Sequence, residues 1–318
     1  MQPYAIDEHY DEADAVTQLQ TISLQCIEET KNRGDVHQLA NMKWDSIQVG
    51  EFQRPKTWRM CQFNTGEGGM EEVQFRIQGI IYGKDLPPVS GNIAQLKRAR
   101  RYIRQNVKLY GGQSDVFADA ARAIEKAYIT FAGQFPDGFL EPWGPGIRGG
   151  NPVVEANTRY LTPKLLCGED GAETLDEYVD PNGTLKQLME DEFVYGPDNK
   201  VDYMEKLTVE EGKRYRKISP TQFKVGDIVE AVLTFVCYPT QKGTAKMAIG
   251  IKALAMLDHT NRDKAAILRM REKHKAQTMG IASATLKRKS AYGNEDTEDA
   301  TARLSRMRID EEANEQSD

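Results

Sequence analysis

The sequence predicts an α+β fold: an antiparallel β-sheet or small OB-like barrel of about five strands, with flanking helices and disordered acidic termini. Three observations carry this reading. Residues 223–258, FKVGDIVEAVLTFVCYPTQKGTAKMAIGIKALAMLD, alternate at period two on both sides of a Pro-Thr-Gln-Lys-Gly turn, which is the pattern of a β-hairpin. Residues 71–83, EEVQFRIQGIIYG, put Val73, Phe75, Ile77, Gly79 and Ile81 on one face and Glu72, Gln74, Arg76 and Gln78 on the other, as a half-buried antiparallel strand does. Residues 115–135, DVFADAARAIEKAYITFAGQF, repeat Phe117, Ala121, Ile124, Tyr128 and Phe131 at helical spacing.

Residues 1–15 are acidic and read as a disordered N-terminus. Residues 16–258 read as one α+β domain. Its first segment, 16–33, leans to helix, with Gly34 as the C-cap. KWDSIQV (43–49), KTWRMCQF (56–63) and residues 71–83 follow as three strands. After a Pro-Pro break, GNIAQLKRARRYIRQNVKLY (91–110) places Leu96, Ala99, Ile103 and Val107 at helical intervals, which predicts an amphipathic helix. The next helix, 115–135, takes Asp115 as its N-cap. Residues 136–225 are rich in Pro and Gly without strong periodicity, and read as an insertion. The hairpin then supplies two closing strands, with Val229, Ala231, Leu233, Phe235 and Cys237 on one face. In its second strand Ala245, Met247, Ile249, Ile251, Ala253, Ala255 and Leu257 share a face. Residues 259–318 read as a charged helix followed by a disordered tail.

Composition bounds the function classes. No run of about 18 apolar residues is present, so no membrane association is expected, and the acidic start lacks the apolar core of a secretion signal. An intracellular location, nuclear or cytoplasmic, is the expectation. The four cysteines form no CxxC and the four histidines no HxxxH, so neither a metal nor any other cofactor is implied. GPGIRG (144–149) fits GxGxxG, but prolines stand on both sides where a dinucleotide site needs a strand and a helix. A metal-dependent nuclease or transposase needs three converging carboxylates; no spacing here pairs Asp85, Asp115 or Asp227, so a non-catalytic protein is the expectation, with that enzyme class as a further alternative. Asp227 reads as a turn residue.

Charge is segregated. Residues 1–14 carry five acids and residues 295–318 carry nine acids against three arginines. Without those ends the chain holds 39 basic and 34 acidic residues, a net charge of +5. The densest basic stretch is Lys97, Arg98, Arg100, Arg101, Arg104 and Lys108, with no acid among them. Such a face can follow a phosphate backbone, although it also suits a solvated helix surface. Lys246 and Lys252 stand on the polar side of the hairpin. Trp58, Tyr82 and Tyr238 offer rings for base stacking, or for ordinary sheet packing. LKRK (286–289) matches short nuclear-import clusters.

The GDIVE strand, the apolar strand ending in ALAMLD and the LKRKSAYG segment before an acidic, Arg-spotted tail resemble an uncharacterised family of mushroom-type fungal proteins. The likeness covers about 75 residues at the C-terminal end. That family has no established activity, so the resemblance implies no site. The residues themselves predict a nucleic-acid-binding protein, single-stranded and sequence-tolerant. The alternative is a protein–protein interaction or assembly module, homo-oligomeric or with another partner. Strong salt dependence distinguishes the first from the second.

Overall fold

The chain divides into two units, Met1–Leu268 and Arg269–Asp318. The structure, a computed structural model, describes residues 6–281 apart from 54, 65–67, 168–171 and 210–211. The acidic tail and LKRK lie outside the described residues. The first elements are α1 (Glu12–Thr30), β1 (His37–Gln38), β2 (Gln48–Gln53), β3 (Lys56–Asn64), β4 (Gly69–Glu72) and β5 (Phe75–Asp85). Next come α2 (Ile93–Ala99), β6 (Arg104–Tyr110), α3 (Asp115–Ala132), β7 (Gly146–Arg148), β8 (Asn151–Arg159) and β9 (Thr162–Pro163). The chain continues through α4 (Thr184–Met189), β10 (Phe193–Val194), β11 (Asp202–Val209), β12 (Gly212–Lys217), β13 (Ile228–Pro239), β14 (Ala245–Asp258) and α5 (Thr260–Ile281).

One mixed sheet of twelve strands runs β12-β11-β14-β13-β5-β6-β8-β7. β3 joins it through β13 and carries β2 and β4, and β1 lies parallel on β5. This corrects the expected five-stranded OB-like barrel: the sheet is larger, it includes the parallel pair β11–β14, and no ladder closes it. The discrepancy has a physical source in residues 136–225. They are no bare insertion, since β7, β8, β11 and β12 all come from them. Their strands are short, interrupted by Pro and Asn, or placed at an edge where alternation is not required.

The first face of the sheet buries the core. Val229, Ala231, Leu233, Phe235 and Cys237 of β13 pack there with Phe75, Ile77 and Ile81 of β5 and Val107 and Leu109 of β6. α3 lies across this face through Phe117, Ala120, Ile124, Ala127 and Phe131. Phe117 sits so close that a Cβ at Gly111 would lie 2.1 Å from its Cγ, so only glycine fits there. Ser114, not Asp115, is the α3 N-cap, its hydroxyl accepting from the Phe117 N–H. The hairpin forms as read, with one change. β14 carries a bulge at Lys252, since Val232 pairs Ala253 while Leu233 pairs Ile251. The extra residue reverses the alternation. Leu254 and Met256, rather than Ala253 and Leu257, therefore enter the core, and Leu257 turns to the other face.

On the second face, α1 sets Ala15 and Leu19 against Ile80, Ile228 and Ala265 of α5. Residues 6–15 are not the disordered lead expected from their acidity. Tyr10 is buried, and its hydroxyl donates to the Gly226 carbonyl at 2.8 Å. The α1 C-cap is Lys31, three residues ahead of Gly34. Asp227, fully buried, accepts from the Lys224 N–H and from Arg262 of α5, each at 2.7 Å. The basic stretch 91–110 is not one helix. It breaks after Ala99 and resumes as β6, with Gln105, Val107 and Leu109 turned inward and Arg104, Asn106 and Lys108 outward. Period two over 104–110 wins over the helical spacing because β6 has two sheet neighbours to satisfy its backbone.

Three strands separate β8 from β14 along the sheet. Even so, the Thr158 hydroxyl donates to the Ile251 carbonyl at 2.8 Å and accepts from the Ile251 N–H at 3.0 Å. The sheet is therefore rolled until β8 meets the open edge of β14, and one side chain replaces a ladder there. At the other end of that edge, Ala245 exchanges hydrogen bonds with Phe139 and Glu141.

Two expectations follow. Thr158→Val keeps the shape but orphans both buried Ile251 groups, and should cost about 2–4 kcal/mol in urea unfolding; Thr158→Ser should cost less. A change in Thr158→Val below about 0.5 kcal/mol would show that the contact contributes nothing to closing the roll. Burial raises the Asp227 carboxyl to about 6 despite its two partners. Protonation is thus favoured in the folded state, and the stability it gives is present below about pH 4 and lost as pH rises through 6. Against wild type, Asp227→Asn should gain on the order of 3 kcal/mol between those limits; parallel pH profiles for the two proteins would refute the assignment.

Candidate nucleic-acid interface

β6 and β8 run antiparallel with Arg104 opposite Arg159, Asn106 opposite Asn157 and Lys108 opposite Glu155. These side chains share the outward face, because their neighbours Val107 and Ala156 are core residues. Two arginines directly opposed on one sheet face repel, which is unfavourable without a countercharge. None is supplied. The only side-chain hydrogen bond of Arg104 goes to Asn157 at 2.8 Å, and neither Arg159 nor Arg101 has a carboxylate partner among the described residues. Burial first, and then the Arg104 charge, hold the Arg159 guanidinium below its ordinary range, with Arg101 adding to the effect. The three arginines form one cationic cluster.

The roll of the sheet brings this cluster to the outside of the β8–β14 seam. There Arg159 is in electrostatic reach of Tyr238 and Asp198. Asp198 accepts from both terminal nitrogens of Arg59, at 3.1 and 2.7 Å, and from Lys252 at 3.2 Å. Glu72 completes the group, 2.8 Å from Arg59 and 3.8 Å from Lys252. Burial raises the Asp198 carboxyl, but the Arg59 hydrogen bonds and the Arg59 and Lys252 charges outweigh it and hold the group at about 2.

The next residue in sequence fixes Asp198 in place. Asn199 is fully buried; its amide donates to the Arg159 carbonyl at 3.0 Å and accepts from the Gly196 N–H at 2.9 Å. Its carbonyl accepts from Gln105 at 2.7 Å, and Gln105 accepts from Tyr203 at 2.8 Å. One buried polar chain thus ties the Arg159 backbone, β6 and the 196–199 turn together.

The basic residues singled out by sequence are dispersed by these contacts. Lys97 and Arg100 are engaged by Glu190, each at 2.6 Å, and Arg100 also by Glu192, so this end of α2 is tied to the end of α4. Lys108 bridges to Glu155 at 3.2 Å. Arg98, Arg101 and Lys246 are exposed and carry no ion pair among the described residues. Trp58 is a packing residue, edge-on to Phe135 at 4.8 Å with Lys56 over its ring. Tyr82 lies under Arg148, which is also 4.4 Å from the Tyr110 ring. Tyr238 pairs across the hairpin with Lys246, and is the one of the three rings beside the arginine cluster.

Sequence reasoning passed over Arg159, and saw Tyr102 among the basic residues without counting it as a stacking ring. Residues 153–159 do alternate, with Val153 and Val154 leading into Glu155, Asn157 and Arg159 against Ala156 and Thr158, but the run is short and flanked by Gly and Pro. Tyr102 is 71% exposed in the turn between α2 and β6. Among the described residues no three His, Cys, Asp or Glu side chains are grouped as metal ligands, and no helix is long and apolar enough to cross a membrane. Neither a scan of protein-family models nor a search of curated proteins gives a match for this chain.

Asp198→Asn should remove the charge that both Arg59 and Lys252 face. Half of the Asp198 side chain is solvent-accessible, so the expected loss is about 1–2 kcal/mol at pH 7 by thermal or urea unfolding. A folded-state value near 2 means that this contribution is kept down to mild acid and disappears only as pH falls toward 2. An equal loss at pH 7 and pH 2 would contradict the assignment.

Proposed function

We propose that the protein binds single-stranded nucleic acid across the β8–β14 seam, with little sequence preference. The observation that carries this reading is the cross-strand pair Arg104–Arg159, with Arg101 beside it and no ion pair to any of the three among the described residues. Like charges held in register are costly in the free protein, and a phosphate is the ligand that relieves them. Arginine in particular presents a planar fork to phosphate oxygens. Arg98 and Lys246 extend the cationic surface, and Tyr238 and Tyr102 are the rings on which unpaired bases would stack. The contacts available are to phosphates and ring faces, which every nucleotide shares, so tolerance of sequence follows.

A second reading, assembly through protein contacts, draws on one observation. Phe63 and Met70 face each other across β3 and β4 and are 60% and 43% exposed.

Fluorescence anisotropy with labelled single-stranded DNA, single-stranded RNA and duplex DNA at two salt concentrations tests the first reading. Single strands should bind, and the affinity should fall steeply with salt. The triple variant Arg101→Glu, Arg104→Glu, Arg159→Glu should lose binding and flatten the logarithmic salt slope by about 2, at roughly 0.7 per phosphate contact. Arg122→Glu, on the outer side of α3, should leave affinity within about twofold. No binding at low salt by a folded protein overturns the proposal. A sedimentation-velocity mass that rises with concentration, and falls back in Phe63→Ser, would support assembly instead.

A further inference from the structure

A cleft of about 650 Å³ opens between the outward faces of β6 and β8 and the loop 86–90. This is the size range of pockets for small organic ligands. Leu86, Val89, Leu96 and Ile103 give it apolar walls, and the Tyr160 ring lines it from the core. Tyr102 stands at its opening, 71% exposed. Arg104 lines the cleft and belongs at the same time to the arginine cluster of the seam.

The polar groups inside are unequal. Glu155 is already occupied, accepting from Asn106 at 2.6 Å and facing Lys108 at 3.2 Å. The Asp85 side chain makes no hydrogen bond or ion pair among the described residues, though the Lys84 charge reaches it. Lys84 also borders the cleft, but it stands opposite the core residue Val107 in the ladder and the charges of Asp227 and Asp85 act on it, so it is not a free group there. The cleft therefore presents one carboxylate outside any hydrogen bond or ion pair among the described residues, beside apolar walls and one arginine.

We infer that this cleft holds one unpaired guanine base of a bound strand. Guanine offers two adjacent N–H donors, N1 and N2, to a single carboxylate, which matches Asp85. Its flat ring fits between the aliphatic walls and Tyr102, and its phosphate reaches Arg104. The smallest complete ligand is guanosine monophosphate. The inference rests on the proposed strand binding and adds to it one preferred position along an otherwise tolerant path.

The test is titration calorimetry of the full chain with guanosine monophosphate, uridine monophosphate and inorganic phosphate, alongside the oligonucleotide assay. Guanosine monophosphate should bind at least tenfold more tightly than uridine monophosphate, and phosphate weakest of all. Asp85→Asn should erase that preference. Ser90→Trp, on the exposed rim, and Leu96→Trp, in the wall, should each fill the cleft and abolish mononucleotide binding; using both guards against one failing to fold. Equal binding of the two nucleotides, or no effect of Ser90→Trp in a folded protein, overturns the inference. If oligonucleotides still bind in that case, the strand-binding reading stands without it. If guanosine monophosphate binds with the stated preference while oligonucleotides do not, the cleft is a free-nucleotide site and the strand reading falls.

Discussion

Much of this molecule depends on how the open edge of β14 is satisfied. A buried strand edge must find partners for its N–H and C=O groups, and over Ile251 a single threonine hydroxyl serves both. Because Thr158 belongs to β8, that contact holds the sheet in a roll and brings the outer face of β8 beside that of β14. The rest is sequential: α3 fills the first face, the buried Gln105–Asn199–Tyr203 chain braces the seam from within, and Asp198 is delivered to Arg59 and Lys252. A hydroxyl suits this task better than a further strand, since it bonds two backbone groups while leaving the neighbouring outward residue, Arg159, available to solvent.

The seam also divides the basic residues into two populations. Lys97, Arg100, Lys108, Lys252 and Arg59 are engaged by carboxylates and act as ties between elements. Arg101, Arg104 and Arg159 form no ion pair among the described residues. Counting cations along the chain cannot separate these groups, because the partners come from far away: Glu190 sits 90 residues from Arg100 and Asp198 139 residues from Arg59. The magnitude of local charge therefore says less than the register of β6 on β8.

The hairpin, β5 and α3 were legible because each has a strong period and a long enough run to display it. β6 was misread for a reason of the same kind. Leu96, Ala99, Ile103 and Val107 satisfy a helical template, while the competing alternation of Gln105, Val107 and Leu109 spans only a few residues. β8, β11 and β12 were lost in a Pro- and Gly-rich background, and the sheet's true size and roll went with them. Tyr10 was missed because acidic surroundings mask a single buried ring. At the site, the cationic character of residues 97–108 was readable, whereas the decisive partner, Arg159, lay in a segment without a clear signal. The bulge at Lys252 left no trace in the pattern at all, since Ala253 and Ala255 are as apolar as the core requires.

The docking of α1 has a consequence for how the chain is made. Its apolar stripe rests on Ile80, Ile228 and Ala265, its Gln18 accepts from Asn261, and Tyr10 reaches Gly226. Helix α1 thus has no complete surface to rest on until some 250 further residues have been synthesised. Through that interval Ala15, Leu19 and the rest of the stripe remain in water or in the hands of a chaperone. Contacts of such sequence separation form slowly. The acidic residues crowded beside that stripe, Asp7 to Asp14, set charge next to it for the whole of that interval.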